Sequence, residues 1–190
     1  MELFAEKVGM SRTVGAVSEA VTLLKVKELK IIEANEGVAI VSYNSGKLLN
    51  RAIEGTQKKH NLSKEFNRFA TLSIPNAEVG DVDFAPLADA KVVQIQGTSK
   101  GRGFSGVMKR HNFQGGPGGH GSRFHRTGGS IGNAEFPGRV QKGRKMPGQF
   151  GNTQVSGKNR VISFDAESKI LVVAGAVAGA NGSLTKVKVI

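Results

Sequence analysis

The sequence predicts a mainly β protein: short strands closed into a barrel, interrupted by a long, irregular, basic and glycine-rich insertion. Three observations predict it. Short runs of β-branched residues bounded by turn residues occur before residue 97 and again after residue 160. Between them, residues 97–160 hold 12 of the 27 Lys and Arg but only one of the 15 acids, Glu135. The same stretch holds 17 of the 26 glycines, too little apolar material for a core of its own. Many short strands also need their edges removed, and closure into a barrel removes them. The predicted organisation is a β-barrel body from residues 1–96 and 161–190, with residues 97–160 as a basic extension.

The elements follow in order. Val21 to Lys27 and Val38 to Tyr43 read as strands, and Asn44-Ser-Gly46 reads as a turn after the second. Lys25, Lys27 and Lys30 fit a solvated strand face, and Lys58-Lys59-His60 a surface loop. Residues 63–70 read as a short helix, with Ser63 as N-cap and Phe66 and Phe69 on one face. Lys91 to Gln96 is a strand that leads into the glycine-rich stretch. After that stretch come Val161 to Asp165, a turn at Asp165-Ala-Glu-Ser168, and an apolar strand from Ile170 to Val177. Asn181-Gly182 is a turn pair, and Leu184 to Ile190 alternates Val187 and Val189 against Lys186 and Lys188.

The composition excludes several classes. With no Cys there are no disulfides and no thiolate metal sites, which suits a cytoplasmic protein. The longest apolar run, Ile170 to Ala180, is broken by Gly175 and Gly179 and falls short of the roughly 18–20 residues that cross a bilayer. Glu2 and Glu6 near the start do not fit a signal or transit peptide. No membrane partner is expected.

The segregated charge points to a polyanion. A segment with this balance repels itself unless something anionic lies along it, and nucleic acid is the commonest such partner. Its cations are spaced: Lys100, Arg102, Lys109, Arg110, Arg123, Arg126, Arg139, Lys142, Arg144, Lys145, Lys158 and Arg160. Phe104, Phe113, Phe124, Phe136 and Phe150 interleave them. Cations neutralise phosphates, and rings stack on bases. His111, His120 and His125 lie among them with no Cys and no local Asp, so they read as RNA contacts rather than metal ligands.

Gly101-Arg-Gly-Phe-Ser-Gly106 follows a strand and matches the first half of a dinucleotide fingerprint. The second half fails: a glycine cluster rather than an amphipathic helix follows Val107 to Gln114, and the next acid is Glu135. A glycine loop that brings backbone close to phosphates fits better. No Ser-His-acid set and no carboxylate pair is present in the segment, so no catalytic residues and no cofactor are expected.

At these residues the chain resembles a family. Gly97-Thr-Ser-Lys-Gly-Arg-Gly-Phe-Ser-Gly-Val-Met-Lys-Arg-His-Asn-Phe113 is similar to the signature of the bacterial large-subunit ribosomal protein L-three family. The resemblance continues through His120-Gly-Ser122, His125-Arg126, Gly129-Ser-Ile-Gly132 and Gly143-Arg-Lys-Met-Pro-Gly-Gln-Phe-Gly-Asn152. Lys7 to Ser11 matches the family's opening and Leu171 to Gly179 its closing strand, with Ala178 standing where the family often has Pro.

The resemblance implies a six-stranded barrel in the cytoplasmic ribosome, with a looped extension running through 23S ribosomal RNA toward the peptidyl-transferase centre. It implies direct binding near the 3′ domain of that RNA, a part in starting 50S assembly, and ribosomal proteins L-fourteen and L-nineteen as neighbours. It also implies that Gln149, in the segment matching the extension's tip, stands where some relatives carry N5-methylglutamine. Two other functions remain to be separated from this one. A nucleotide-dependent enzyme built on Gly101 to Gly106 would be stabilised by nucleotide, and a general RNA chaperone would bind all RNAs alike.

Overall fold

A computed structural model describes residues 1–15, 17–35, 37–46, 50–75 and 77–190. The strands and helices are, in chain order, β1 (Glu2–Arg12), β2 (Ala20–Val26), β3 (Leu29–Asn35), β4 (Val38–Tyr43), α1 (Arg51–Lys59), β5 (Arg68–Leu72), β6 (Gly80–Asp81), α2 (Ala85–Ala88) and β7 (Val92–Thr98). They continue with β8 (Phe104–Ser105), α3 (Val107–His111), β9 (Gly148–Gln149), β10 (Gln154–Asp165), β11 (Ile170–Ala174) and β12 (Leu184–Val189). The chain divides into two compact units, residues 1–99 with 154–190, and residues 100–153.

The first unit holds a closed antiparallel barrel of six strands in the order β1-β12-β7-β10-β11-β2. Its inward positions follow the period of two that a pleated strand imposes. Leu3, Ala5 and Lys7 face inward from β1, Thr22, Leu24 and Val26 from β2, and Val93, Ile95 and Gly97 from β7. Leu171 and Val173 add to them from β11, and Thr185 and Val187 from β12. The inward hydroxyls are satisfied: Thr22 Oγ1 donates to the Gly175 carbonyl at 2.7 Å and Thr185 Oγ1 to that of Ala5 at 2.9 Å. Apolar side chains on one face of β1, β2, β7, β11 and β12 therefore bury together, β10 adds only the partly buried Val161 and Phe164, and the few polar ones keep partners.

Lys7 is the charged side chain among the described residues buried in the barrel. It is buried, and its ammonium donates to the carbonyls of Val177 at 2.7 Å and Gly179 at 3.1 Å. Its backbone joins the same segment, donating to Ser183 and accepting from Gly182. Gly97 faces that segment from β7, where an added Cβ would sit 2.8 Å from the Ala178 carbonyl. A side chain there would displace backbone, so glycine is required.

A second sheet in the same unit, ordered β5-β4-β3-β6, shares the core. Val41, Leu72 and Ile31 bury with Leu3 and Leu24, and the rings of Phe4 and Tyr43 stand 4.9 Å apart. Glu2 ties the two sheets: its carboxylate accepts from the Ser73 N–H at 2.8 Å and pairs with Lys186 at 2.7 Å.

Several expectations need correction. Residues 63–70 are not a helix but a turn leading into β5. The amide of Asn67 accepts from Ser45 N at 3.0 Å and donates to the Gly46 carbonyl, and the chain beyond it pairs with β4. Those long-range bonds outweigh the i, i+3 phenylalanine spacing. The helix lies earlier, at α1, capped by Asn50, whose side chain accepts from Ile53 N at 2.9 Å. Lys58 and Lys59 are its last turn rather than a loop. β11 stops at Ala174, not Val177, because Gly175 turns the chain at a positive φ. Residues 97–98 and 154–160, assigned to the insertion on composition, lie in β7 and β10, whose pairing runs from Gln154 against Thr98 to Arg160 against Val92.

Candidate nucleic-acid interface

Within residues 100–153 the buried residues are Ser105 and Val107, so hydrogen bonds and tight turns organise the segment more than a core does. Its base is a narrow ribbon. β8 pairs with β9, Phe104 opposite Gln149, and the ladder continues as Arg102 N donates to the Phe150 carbonyl and Phe150 N to that of Gly103. The guanidinium of Arg102 lies 5.0 Å from the centre of the Phe150 ring, a cation–π contact along the ribbon.

Gly106 opens α3, and Asn112 ends it in the left-handed conformation with its N–H on the Met108 carbonyl. The five residues of this helix are all that follows the glycine motif. Its last turn aims back at the ribbon: Arg110 Nη1 donates to the Met146 carbonyl at 2.7 Å, and His111 Nε2 lies 3.2 Å from the same oxygen. An added Cβ on Gly148 would sit 2.7 Å from the Arg110 guanidinium. Arg110 and His111 are accordingly half-buried and hold the Met146 carbonyl that leads into β9, on which Gln149 is exposed.

A second loop is pinched at its neck. Gly116 N donates to the His125 carbonyl at 2.8 Å, and His125 Nδ1 lies 3.1 Å from that of Pro117. The strands of the neck approach so closely that a Cβ at Gly116 would fall 1.9 Å from the Phe124 carbonyl oxygen. His120, in the left-handed region, and Arg123 sit on the exposed part of this loop. Further along, Arg144 bonds the Ser130 carbonyl and bridges residues 130 and 144.

The structure thus sorts the predicted residues. Lys100, Arg102, Lys109, His120, Arg123, His125, Arg126, Arg139, Lys142, Arg144 and Lys145 are exposed within the insertion, as are the rings of Phe104, Phe124 and Phe136. Arg102, Arg110 and Arg144 also spend part of their bonding capacity on the insertion itself. Lys158 and Arg160 stand apart on β10 of the barrel, where Arg160 pairs with Glu19 at 2.5 Å. Among the described residues, no three His, Cys, Asp or Glu gather as a metal site. Sequence reasoning missed that carbonyl-holding role of Arg110, whose only trace is its spacing within a helix too short to be read.

A barrel bearing a basic, nearly coreless loop on a paired ribbon defines a scaffold protein that presents cations on backbone turns. The family model described as Ribosomal protein L3 matches residues 56–169. The large ribosomal subunit protein uL3 of Helicobacter hepaticus is 60% identical over 100% of both chains. That of Campylobacter jejuni is 58% identical over 100% of this chain and 99% of its own, and that of Thermotoga petrophila 36% over 98% and 95%. The chain belongs to the ribosomal protein L3 family, whose members are structural, non-catalytic constituents of the large ribosomal subunit.

Proposed function

We propose that this chain binds 23S ribosomal RNA directly through its insertion, near the 3′ domain, and helps to initiate 50S assembly. The loop runs toward the peptidyl-transferase centre and positions RNA whose own groups do the chemistry. The carrying observation is the insertion's charge: ten Lys and Arg against Glu135 within residues 100–153. Arg forks suit phosphate oxygens, and exposed rings suit bases. The RNA-contacting set is Lys100, Arg102, Lys109, Arg110, His111, His120, Arg123, His125, Arg126, Arg139, Lys142, Arg144 and Lys145 of the insertion, together with Lys158 and Arg160 of β10. Arg110 and His111 serve that set chiefly by fixing the Met146 carbonyl before β9. The exposure of Gln149 suits a methyl-accepting side chain, and L-fourteen and L-nineteen are the protein neighbours in this reading.

The test is binding of the full chain to a 3′-domain fragment of 23S RNA and to an unrelated structured RNA across a salt series. With about eight phosphate contacts, the logarithmic salt slope is expected near −6. A steep slope with a clear preference for the 23S fragment supports the reading. Equal affinity for both RNAs sinks it in favour of a general polyanion binder.

A further inference from the structure

Residues 130–144 enclose a cleft of about 240 Å³ lined by Ser130, Ile131, Asn133, Pro137, Arg139, Gln141 and Arg144, with Gly132 in its wall. Four other clefts on the protein each carry at least one carboxylate, from Glu54, Glu78, Glu28 or Asp83. This one carries none and has two guanidinium groups instead.

Its walls are chemically divided. Ile131 and Pro137 are apolar, Asn133 and Gln141 bring amides, and Arg139 and Arg144 bring positive charge. The cleft is held open from within. Arg144 bonds the Ser130 carbonyl, Ser130 Oγ donates to the Gly132 carbonyl at 3.1 Å, and Arg144 N donates to that of Gln141 at 3.4 Å. Among the described residues, the side chains of Asn133, Gln141 and Arg139 make no hydrogen bond within the protein. Their donors and acceptors are available to a ligand.

We infer that this cleft receives a single unstacked nucleotide of the bound RNA. The inference rests on the RNA-binding reading above and adds a specific subsite to it. A base enters edge-on between the apolar side chains, where the amides meet its hydrogen-bonding edge and a guanidinium plane lies against its face. Its phosphate takes Arg139, whose fork is uncommitted. A paired base in a helix cannot enter, because its edge is already bonded and its neighbours block the mouth. An amide also suits adenine best, since it matches the adjacent donor and acceptor on that base.

The test uses two RNA hairpins that differ only by one bulged adenosine, with 2-aminopurine at the bulge as a fluorescent reporter. The full chain is titrated with each, alongside Asn133→Ala, Gln141→Ala and Arg139→Ala. The bulged hairpin is expected to bind about tenfold more tightly, with quenching of the reporter as its base enters the cleft. In Asn133→Ala and Gln141→Ala the preference should shrink toward unity while the unbulged hairpin binds as before. Arg139→Ala should weaken the bulged hairpin more than the unbulged one. A preference that survives both amide substitutions would place the bulge elsewhere and overturn the inference. Failure of the bulged hairpin to bind a chain that still binds the 3′-domain fragment of 23S RNA would also overturn the inference, whereas failure to bind that fragment as well would remove the RNA-binding reading itself.

Discussion

Replacing Lys7 by Met isolates what one buried ammonium does for the barrel. Met preserves the length of the apolar stem and removes the two bonds to the Val177 and Gly179 carbonyls. A hydrogen bond to a charged group contributes about 1.5–3 kcal/mol net, so two of them give about 3–6 kcal/mol. Relief of ammonium desolvation offsets part of that. A net loss of about 3 kcal/mol is expected, which lowers Tm by about 6–12 °C for a chain of this size. The assay is thermal unfolding followed by circular dichroism, with chemical denaturation to check that the m-value is unchanged. Lys27→Met is the control: its ion pair with Glu6 is partly exposed, and its loss should change stability by less than about 1 kcal/mol. If Lys7→Met melts within about 2 °C of the parent, the two carbonyls do not depend on the ammonium and this account of the barrel's end is wrong.

Three further outcomes follow from the geometry. Gly116→Ala places a Cβ against the Phe124 carbonyl, so the neck of the 116–125 loop should open, seen as faster proteolysis after Arg123 or Arg126 with an unchanged barrel melt. Glu2 is partly buried, which pushes its carboxyl up, but the Lys186 ammonium and the Ser73 N–H outweigh burial and hold it below the ordinary Glu range. Its contribution to stability is therefore complete above that ordinary range and is lost as pH falls through its lowered folded value. Glu2→Gln should flatten the acid limb of the stability–pH curve, and an unaltered limb would contradict the assignment. Arg144→Ala or Lys145→Ala should alter RNA folding near the catalytic centre of assembled subunits, and unchanged chemical probing there would count against the proposed path of the loop.

Strands were legible where β-branched and apolar residues cluster or alternate, as in β7 and β12 of the barrel and β4 of the second sheet. β1 was not, because Glu2, Glu6 and Lys7 break its apolar pattern. Lys7 is inside for a reason no local window contains: its acceptors lie about 170 positions away. α1 was missed because little of it is apolar and Gln57, not a hydrophobe, is its buried residue. Within the insertion, charge and glycine content located the interface, but not the division of its arginines. Arg110, Arg139 and Arg144 look alike in sequence, yet one holds a carbonyl at the ribbon, one is uncommitted and one bridges a loop. That division depends on which backbone oxygen each guanidinium can reach after folding.

The pairing of β12 between β1 and β7 has a consequence for synthesis. The ring of strands cannot close until residues 184–189 have emerged, and the whole basic loop is translated before them. During elongation the cations are thus displayed on an unfinished body, and closure forces together strands from the two extremes of the sequence, a slow, high-contact-order step. A nascent chain that meets polyanions in that interval is open to premature capture. The rate at which β12 docks between β1 and β7 therefore sets how long each newly made molecule is exposed to the wrong partner.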